Sequence, residues 1–102
     1  MIHVIALITT KPGQRAAVLE AFRANVPAVH AEKGCIEYVP AIDAVGMGKF
    51  QTQIGADTFM VIEKWATAED LAAHAASSHM IAYGAKVKDM LANRVIHVLS
   101  PA

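Results

Sequence analysis

The chain has 102 residues, of which 55% are hydrophobic and 18% are charged, and equal numbers of basic and acidic residues give a formal net charge of zero. This length predicts one domain over residues 1–102, and the composition excludes an intrinsically disordered chain. Because there is no surplus of positive charge, no nucleic-acid partner is expected. The apolar fraction exceeds what one small core needs, which indicates a subunit interface, a ligand pocket or both.

The single cysteine, Cys35, excludes an intramolecular disulfide and a cysteine-rich zinc site. The first residues lack the basic flank and the cleavage pattern of a signal peptide. No run approaches the ~18 consecutive apolar residues of a membrane span. We therefore expect a cytoplasmic protein without a membrane span.

Hydrophobic periodicity and turn residues predict the order strand, helix, strand, strand, helix pair, strand. An apolar, β-branched run over residues 2–8 predicts the first strand, and an apolar stripe over residues 14–32 predicts a helix that Pro27 should bend or split. The later predictions are strands over residues 35–42, 58–66 and 94–99, a helix capped by Thr67, and a second helix over residues 79–91 capped by Ser77-Ser78.

This order, βαββαβ, predicts an α+β protein with a ferredoxin-like fold, in which an antiparallel sheet carries its helices on one face. Odd-numbered and even-numbered residues of the first strand are both apolar, as Val4 and Ile5 illustrate, so both faces of the sheet must be buried. We therefore expect two copies to pack sheet to sheet as a homodimer. Residues 43–55 predict a long connection, which Phe50 would anchor.

His74 is the main candidate for chemistry. It lies three residues after Leu71, so both side chains are expected to point towards the sheet. The alanines around it predict space beside the imidazole rather than dense packing. Two interpretations stay open: a core histidine bonded to a backbone carbonyl, or a pocket histidine that acts as a base or contacts a ligand.

The other candidates also have two interpretations each. His79 and Tyr83 share one helix face, either as cap and packing residues or at a pocket mouth. Trp65, on the same strand face as Glu63, is either a core anchor or a platform for substrate. His3 and His97 are expected on neighbouring strands, as a possible cross-strand pair that is too small to hold a metal.

Several short motifs carry a family resemblance. They are Lys11-Pro12-Gly13, Glu32-Lys33-Gly34-Cys35 with Tyr38, Ile62-Glu63-Lys64-Trp65, Leu71-x-x-His74, Ser78-His79-Met80 and Leu99-Ser100-Pro101. With these motifs the chain resembles the antibiotic biosynthesis monooxygenase family over its full length, and within it the small bacterial quinol monooxygenases. It departs from the haem-degrading branch, because His74 occupies the helix position at which that branch carries tryptophan.

The resemblance implies a dimeric α/β barrel that oxidises aromatic quinols or polyphenols with dioxygen, without a metal or an organic cofactor. Such chemistry needs a dry aromatic pocket, a base and a hydrogen bond to the developing oxyanion. The implied site has His74 and His79 as catalytic residues and Tyr38, Phe59, Glu63, Trp65 and Tyr83 as substrate-binding residues. A non-catalytic module that binds quinones stays open, as does isomerase or dehydratase chemistry, because one fold serves many functions.

Overall fold

A computed structural model describes residues 1–102 as one sheet of four strands with three α-helices. The strands are β1 (Ile2–Thr10), β2 (Cys35–Ala41), β3 (Thr58–Trp65) and β4 (Leu91–Leu99). The helices are α1 (Arg15–His30), α2 (Ala68–Ala76) and α3 (Ser78–Val87), and a 3-10 turn (Lys88–Met90) leads into β4. None of these helices has the length and hydrophobicity that crossing a bilayer requires.

The sheet has the order β2-β3-β1-β4, and every neighbouring pair is antiparallel. This topology confirms the predicted α+β ferredoxin-like fold. Alternate residues of β1 and β3 point towards the helices and are buried, as Val4 and Val61 illustrate. Phe22 and Val29 of α1 and Val87 of α3 close the core from the helical side.

The other face of the sheet carries apolar side chains that nothing in the chain covers. The strand register aligns Leu7 with Met60 and Val95, and Ile5 with Ile62, on that face. Val39 adds a further apolar side chain from β2. We call this surface the open sheet face.

Two predicted helix features differ from the structure. Pro27 does not split α1, because it lies on the exposed side of the last turn while Val29 remains fully buried and holds the end of the helix against the core. Ser77 is the residue before α3, but its side chain caps no backbone N–H of that helix. Its hydroxyl instead donates to the carbonyl oxygen of His74 and thereby closes the end of α2.

The long connection between β2 and β3 is not anchored by Phe50, which is 82% exposed. The carboxylate of Asp43 anchors it instead, because it accepts hydrogen bonds from the backbone N–H groups of Ile54 and Gly55 at 2.9 and 3.0 Å. These bonds lower the pKa of Asp43. The register also corrects the histidine pair: His3 lies opposite Leu99, whereas His97 lies opposite Ile5, so the two imidazoles are only diagonal neighbours.

Gly34 connects the turn after α1 to the end of β3. Its φ is +79°, its carbonyl oxygen accepts from the N–H of Ala66, and a methyl group in place of its hydrogen would overlap the Asp70 carboxylate. Gly13 has nearly the same φ, +78°, but has open space where a Cβ would lie.

We therefore expect Gly34→Ala to lower the free energy of unfolding by about 2–4 kcal/mol, through left-handed backbone strain and overpacking together. Gly13→Ala, the matched control, should cost only the backbone strain, about 1–2 kcal/mol. Urea unfolding followed by the fluorescence of Trp65, at one protein concentration, measures both. Equal losses would show that the Asp70 contact contributes nothing.

Candidate active site

An apolar cavity of about 140 Å³ lies between the sheet and helices α1 and α3. A cavity of about this size accommodates one aromatic ring. All four strands contribute residues to its floor, and on the β4 side Ile96 is half exposed, so the cavity opens there. Four polar side chains reach it: those of Tyr38, Glu63, Tyr83 and Arg94.

Glu63 is the one carboxylate on the cavity wall, and it is only 8% exposed. The strand period places it on the helix-facing side of β3 together with Trp65. The indole Nε1–H of Trp65 donates to Glu63 Oε1 at 2.9 Å. Burial raises the pKa of Glu63, and the Trp65 hydrogen bond and the nearby His74 only partly oppose this rise.

His74 lies behind the cavity wall rather than on it. Its ring is 5% exposed and packs against Trp65 and Tyr38, with centroid distances of 4.6 and 5.3 Å. Its Nδ1 lies 2.7 Å from Glu32 Oε2, and its Nε2 lies 3.9 Å from Glu63 Oε1. The imidazole therefore sits between two carboxylates.

The predicted space beside His74 is absent. The flanking alanines of α2 lie on its exposed side, and the rings of Trp65 and Tyr38 fill the buried side. The prediction of an inward-pointing His74 agrees with the structure. The predicted partner, a backbone carbonyl, is replaced by the carboxylate of Glu32.

His79 lies on the solvent side of the same cluster. Its Nε2 is 3.2 Å from Glu32 Oε2 and 3.3 Å from Ser77 Oγ. The side chain is 28% exposed and lines an outer groove of about 240 Å³ between α1 and α3. Tyr83 lines both this groove and the inner cavity, so it forms part of the wall between them.

Of the predicted substrate-binding residues, Tyr38, Glu63 and Tyr83 reach the cavity, whereas Phe59 and Trp65 do not. Both of the latter are fully buried in the core, at 0% exposure. Trp65 acts on the cavity only through its hydrogen bond to Glu63. The sequence pattern marks both side chains as inward-facing but does not distinguish a core position from a pocket wall.

The two cavity tyrosines are held as neutral hydroxyls. Burial raises the pKa of Tyr83 to about 12. The pKa of Tyr38 rises further, because burial is reinforced by the negative charge of Glu63. At neutral pH both hydroxyls therefore keep their hydrogen. That of Tyr38 donates to Met80 Sδ on the cavity wall at 3.9 Å, and because a thioether is a weak acceptor, a substrate oxygen can replace it.

Sequence reasoning assigned no role to Glu32 or Arg94. Glu32 lies in the turn after α1 and reaches His74 only because that turn meets the end of α2. Arg94 lies opposite Ile8 on the helix-facing side of β4. The one available signal for Arg94 was its charge within a mostly apolar strand. Glu32 belongs to one of the family motifs, but nothing in that motif indicated that its carboxylate contacts His74.

Glu32, His74 and His79 together place their donor atoms within 4.8 Å of one another. The same donor types bind zinc in other proteins. Here a hydrogen bond from His74 to the Glu32 carboxylate, and a hydrogen bond between His79 and Ser77 with the same carboxylate oxygen 3.2 Å away, account for the arrangement of the two imidazoles.

A larger groove of about 510 Å³ between α1 and β2 is a surface feature. Most of its residues are exposed, among them Arg23, Ile36 and Val39. Its titratable side chains are solvated, except for the Tyr38 ring, which faces the core. The cavity that contains Glu63 is therefore the better candidate site.

Comparisons with known proteins agree with one another. The family model described as "Antibiotic biosynthesis monooxygenase" matches residues 1–86. An Escherichia coli protein named "Probable quinol monooxygenase YgiN" is 40% identical, over 99% of this chain and 98% of its own. A crystal structure from Pseudomonas aeruginosa, 27% identical, covers 99% of this chain and 93% of its own with a TM-score of 0.81. A Nitrosomonas europaea structure, 22% identical, shares the fold with a TM-score of 0.83 over 99% of this chain and 98% of its own.

Trp65→Phe tests the support of Glu63, because it removes the indole N–H donor, together with one ring of a fully buried side chain, and keeps the position aromatic. We expect the pKa of Glu63 to rise above its already raised value and stability to fall by about 1–3 kcal/mol, as for a buried acceptor that loses its partner. The carboxyl ¹³C shift of Glu63 across pH and circular dichroism in urea measure the two effects. An unchanged or lower pKa would contradict this account of the site.

Proposed function

The chain belongs to the antibiotic biosynthesis monooxygenase family, and we propose that it oxidises a quinol or polyphenol with dioxygen in the cavity beside Glu63. The observation that carries the proposal is one buried carboxylate on the wall of an aromatic-sized, otherwise apolar cavity. The Escherichia coli relative named as a quinol monooxygenase supports the substrate class.

The proposed reaction balances without an added cofactor. A quinol and dioxygen give a hydroxyquinone and water: one oxygen atom enters the ring and the other leaves as water. The quinol supplies the electrons that an external reductant would otherwise provide. Loss of the hydroxyl proton makes the ring a better electron donor, so the protein's main task is to accept that proton in a dry site.

The polar residues of the cavity suit this task. The Glu63 carboxylate accepts the proton from one hydroxyl of the quinol, with His74 behind it. The hydroxyls of Tyr38 and Tyr83 donate to the oxygen that becomes negative. Arg94, at the open side along β4, supplies a positive charge near the second oxygen of the ring. In this arrangement His74, for which the sequence left open the roles of base and of ligand contact, acts through Glu63.

We also propose that the active form is a homodimer, with two open sheet faces in contact. A contiguous apolar patch on a sheet is typical of an interface. It includes Ile5, Leu7 and Ile62 at its centre, and Val95 on β4. Contact between two such faces would bury the second side of each sheet, which strands with apolar side chains on both faces require.

The first test is oxygen uptake by metal-stripped protein with freshly reduced menadiol. Wild-type protein should raise uptake above the spontaneous rate in proportion to enzyme, and should incorporate one ¹⁸O atom from labelled dioxygen into the quinone. Glu63→Gln should lower kcat/KM by about 10²-fold or more, since it removes the proton acceptor. The matched control is Glu20→Gln, which changes an exposed carboxylate of α1 and should behave as wild type.

The pH dependence has a defined sign. Burial raises the pKa of Glu63, and below that pKa the carboxyl group is protonated. Only the ionised form can accept the quinol proton, so kcat/KM should rise as the pH increases through the raised pKa. Glu63→Gln should lack this rise.

The oxygen-uptake assay also distinguishes the alternatives. Saturable quinone binding without enzyme-dependent oxygen uptake would favour the non-catalytic binding module, and conversion of the substrate without oxygen uptake would favour isomerase or dehydratase chemistry.

Ile62→Asp tests the dimer, because it places a carboxylate at the centre of the open sheet face. We expect wild-type protein to sediment at twice the mass of the chain at micromolar concentration, and the variant to sediment as a monomer. Ile81→Asp, on the exposed side of α3, is the control and should not change the mass. A monomeric wild-type protein would overturn the proposed dimer.

A further inference from the structure

Glu32 is a residue that the proposed reaction does not use, although it joins two imidazoles. One carboxylate oxygen, Oε2, lies 2.7 Å from His74 Nδ1 and 3.2 Å from His79 Nε2. His74 in turn faces Glu63 on the cavity wall at 3.9 Å. The four groups therefore form one continuous row from the cavity to the outer groove.

The row fixes the tautomer of His74. An ionised carboxylate only accepts hydrogen bonds, so the Nδ1 beside Glu32 carries the hydrogen and the Nε2 beside Glu63 is bare. A bare nitrogen and an ionised carboxylate repel each other. A proton on either atom makes the contact attractive. The contact between His74 Nε2 and Glu63 Oε1 therefore favours the state in which these two atoms hold one proton between them.

The outer end of the row meets water. Ser77 Oγ donates to the carbonyl oxygen of His74 at 2.7 Å, so it accepts from His79 Nε2–H. The same Nε2 lies 3.2 Å from Glu32 Oε2, within reach of a proton transfer. His79 lies on the wall of the outer groove, whereas His74 is sealed beneath Tyr38 and Trp65. His79 is thus the member of the row that exchanges protons with solvent.

We propose that Glu32 and His79 form the outer half of a proton path that connects Glu63, through His74, to solvent. The inference rests on the proposed function for the reaction that supplies the proton. Glu63 takes that proton as the quinol O–H bond breaks, and passes it to His74 Nε2. His74 releases its Nδ1 hydrogen to Glu32, and a later passage in the reverse direction, from Glu32 to Nδ1 and from Nε2 to Glu63, restores the starting tautomer.

His79 completes the transfer. Exchange with water moves its hydrogen to Nδ1, after which Nε2 accepts the proton from Glu32 and Nδ1 releases one to solvent. This sequence leaves His79 with its hydrogen on Nε2, as at the start, and moves one proton from the cavity to water. Because the overall reaction releases no net proton, the same steps in reverse return one proton to Glu63 for the oxygen atom that leaves as water.

Other titratable groups face the row but do not carry the proton. Tyr38 and Cys35 approach it from β2, and burial raises the pKa of both. The negative charges of Glu32 and Glu63 contribute to both rises. These side chains stay neutral and seal the row from water on the side of the sheet.

His79→Ala tests the path in weakly buffered menadiol assays. We expect kcat to fall about tenfold or more, with KM within about twofold, because proton release becomes slow. Millimolar imidazole should restore kcat, since the vacated space adjoins the outer groove. His79→Gln keeps a donor to Glu32 but does not titrate, so it should stay slow and resist rescue. Ser78→Ala, an exposed neighbour, is the control and should match wild type.

A second measurement does not depend on activity. Exchange of the His74 Nδ1 hydrogen with water, followed by ¹⁵N-edited NMR, should slow severalfold in His79→Gln, which fills the space of the imidazole but takes up no proton. Full activity or unchanged exchange in His79→Gln would overturn the path. A wild-type protein without oxygen uptake but with slowed exchange in the variant would overturn the proposed function and leave the path standing.

Discussion

The imidazole of His74, held between two carboxylates, connects the parts of this fold that form the site. Glu32 reaches it from the turn after α1, Glu63 from β3, and His79 joins from α3 through Glu32. Burying charged groups is costly unless each has a partner, and removing one partner of such a set is more costly than the set is stabilising. The contacts therefore fix where α1 ends and how α2 meets the sheet.

The same cluster explains why chemistry can take place in so small a domain. The cavity itself is apolar and holds one ring, so it offers a substrate little besides a dry environment. Glu63 brings a carboxylate to its wall without exposing it to water, because the indole N–H of Trp65 donates to it from behind, where the His74 ring lies 3.9 Å away. One face of the sheet supports the site, and the other is the apolar surface on which the proposed dimer rests.

Local patterns predicted the fold well because they are read within one element. The alternation in β3 placed Glu63 and Trp65 on one face, and the Thr67 cap located α2, where Thr67 accepts from Asp70. Features that depend on the far side of the molecule were missed. Pro27 is tolerated because Val29 beyond it is buried, and Ser77 turns back to His74 rather than forward to α3.

The sequence by itself determined the order of the elements, the ferredoxin-like topology and the inward direction of His74, because periodicity of 2 or 3.6 residues is a local property. Only the tertiary structure decided which inward residues reach a cavity. It buried Phe59 and Trp65, left Glu63 on the wall, and brought in Arg94 and Glu32. Glu32 and His74 are 42 residues apart, so no spacing in the chain could reveal that their side chains are hydrogen-bonded.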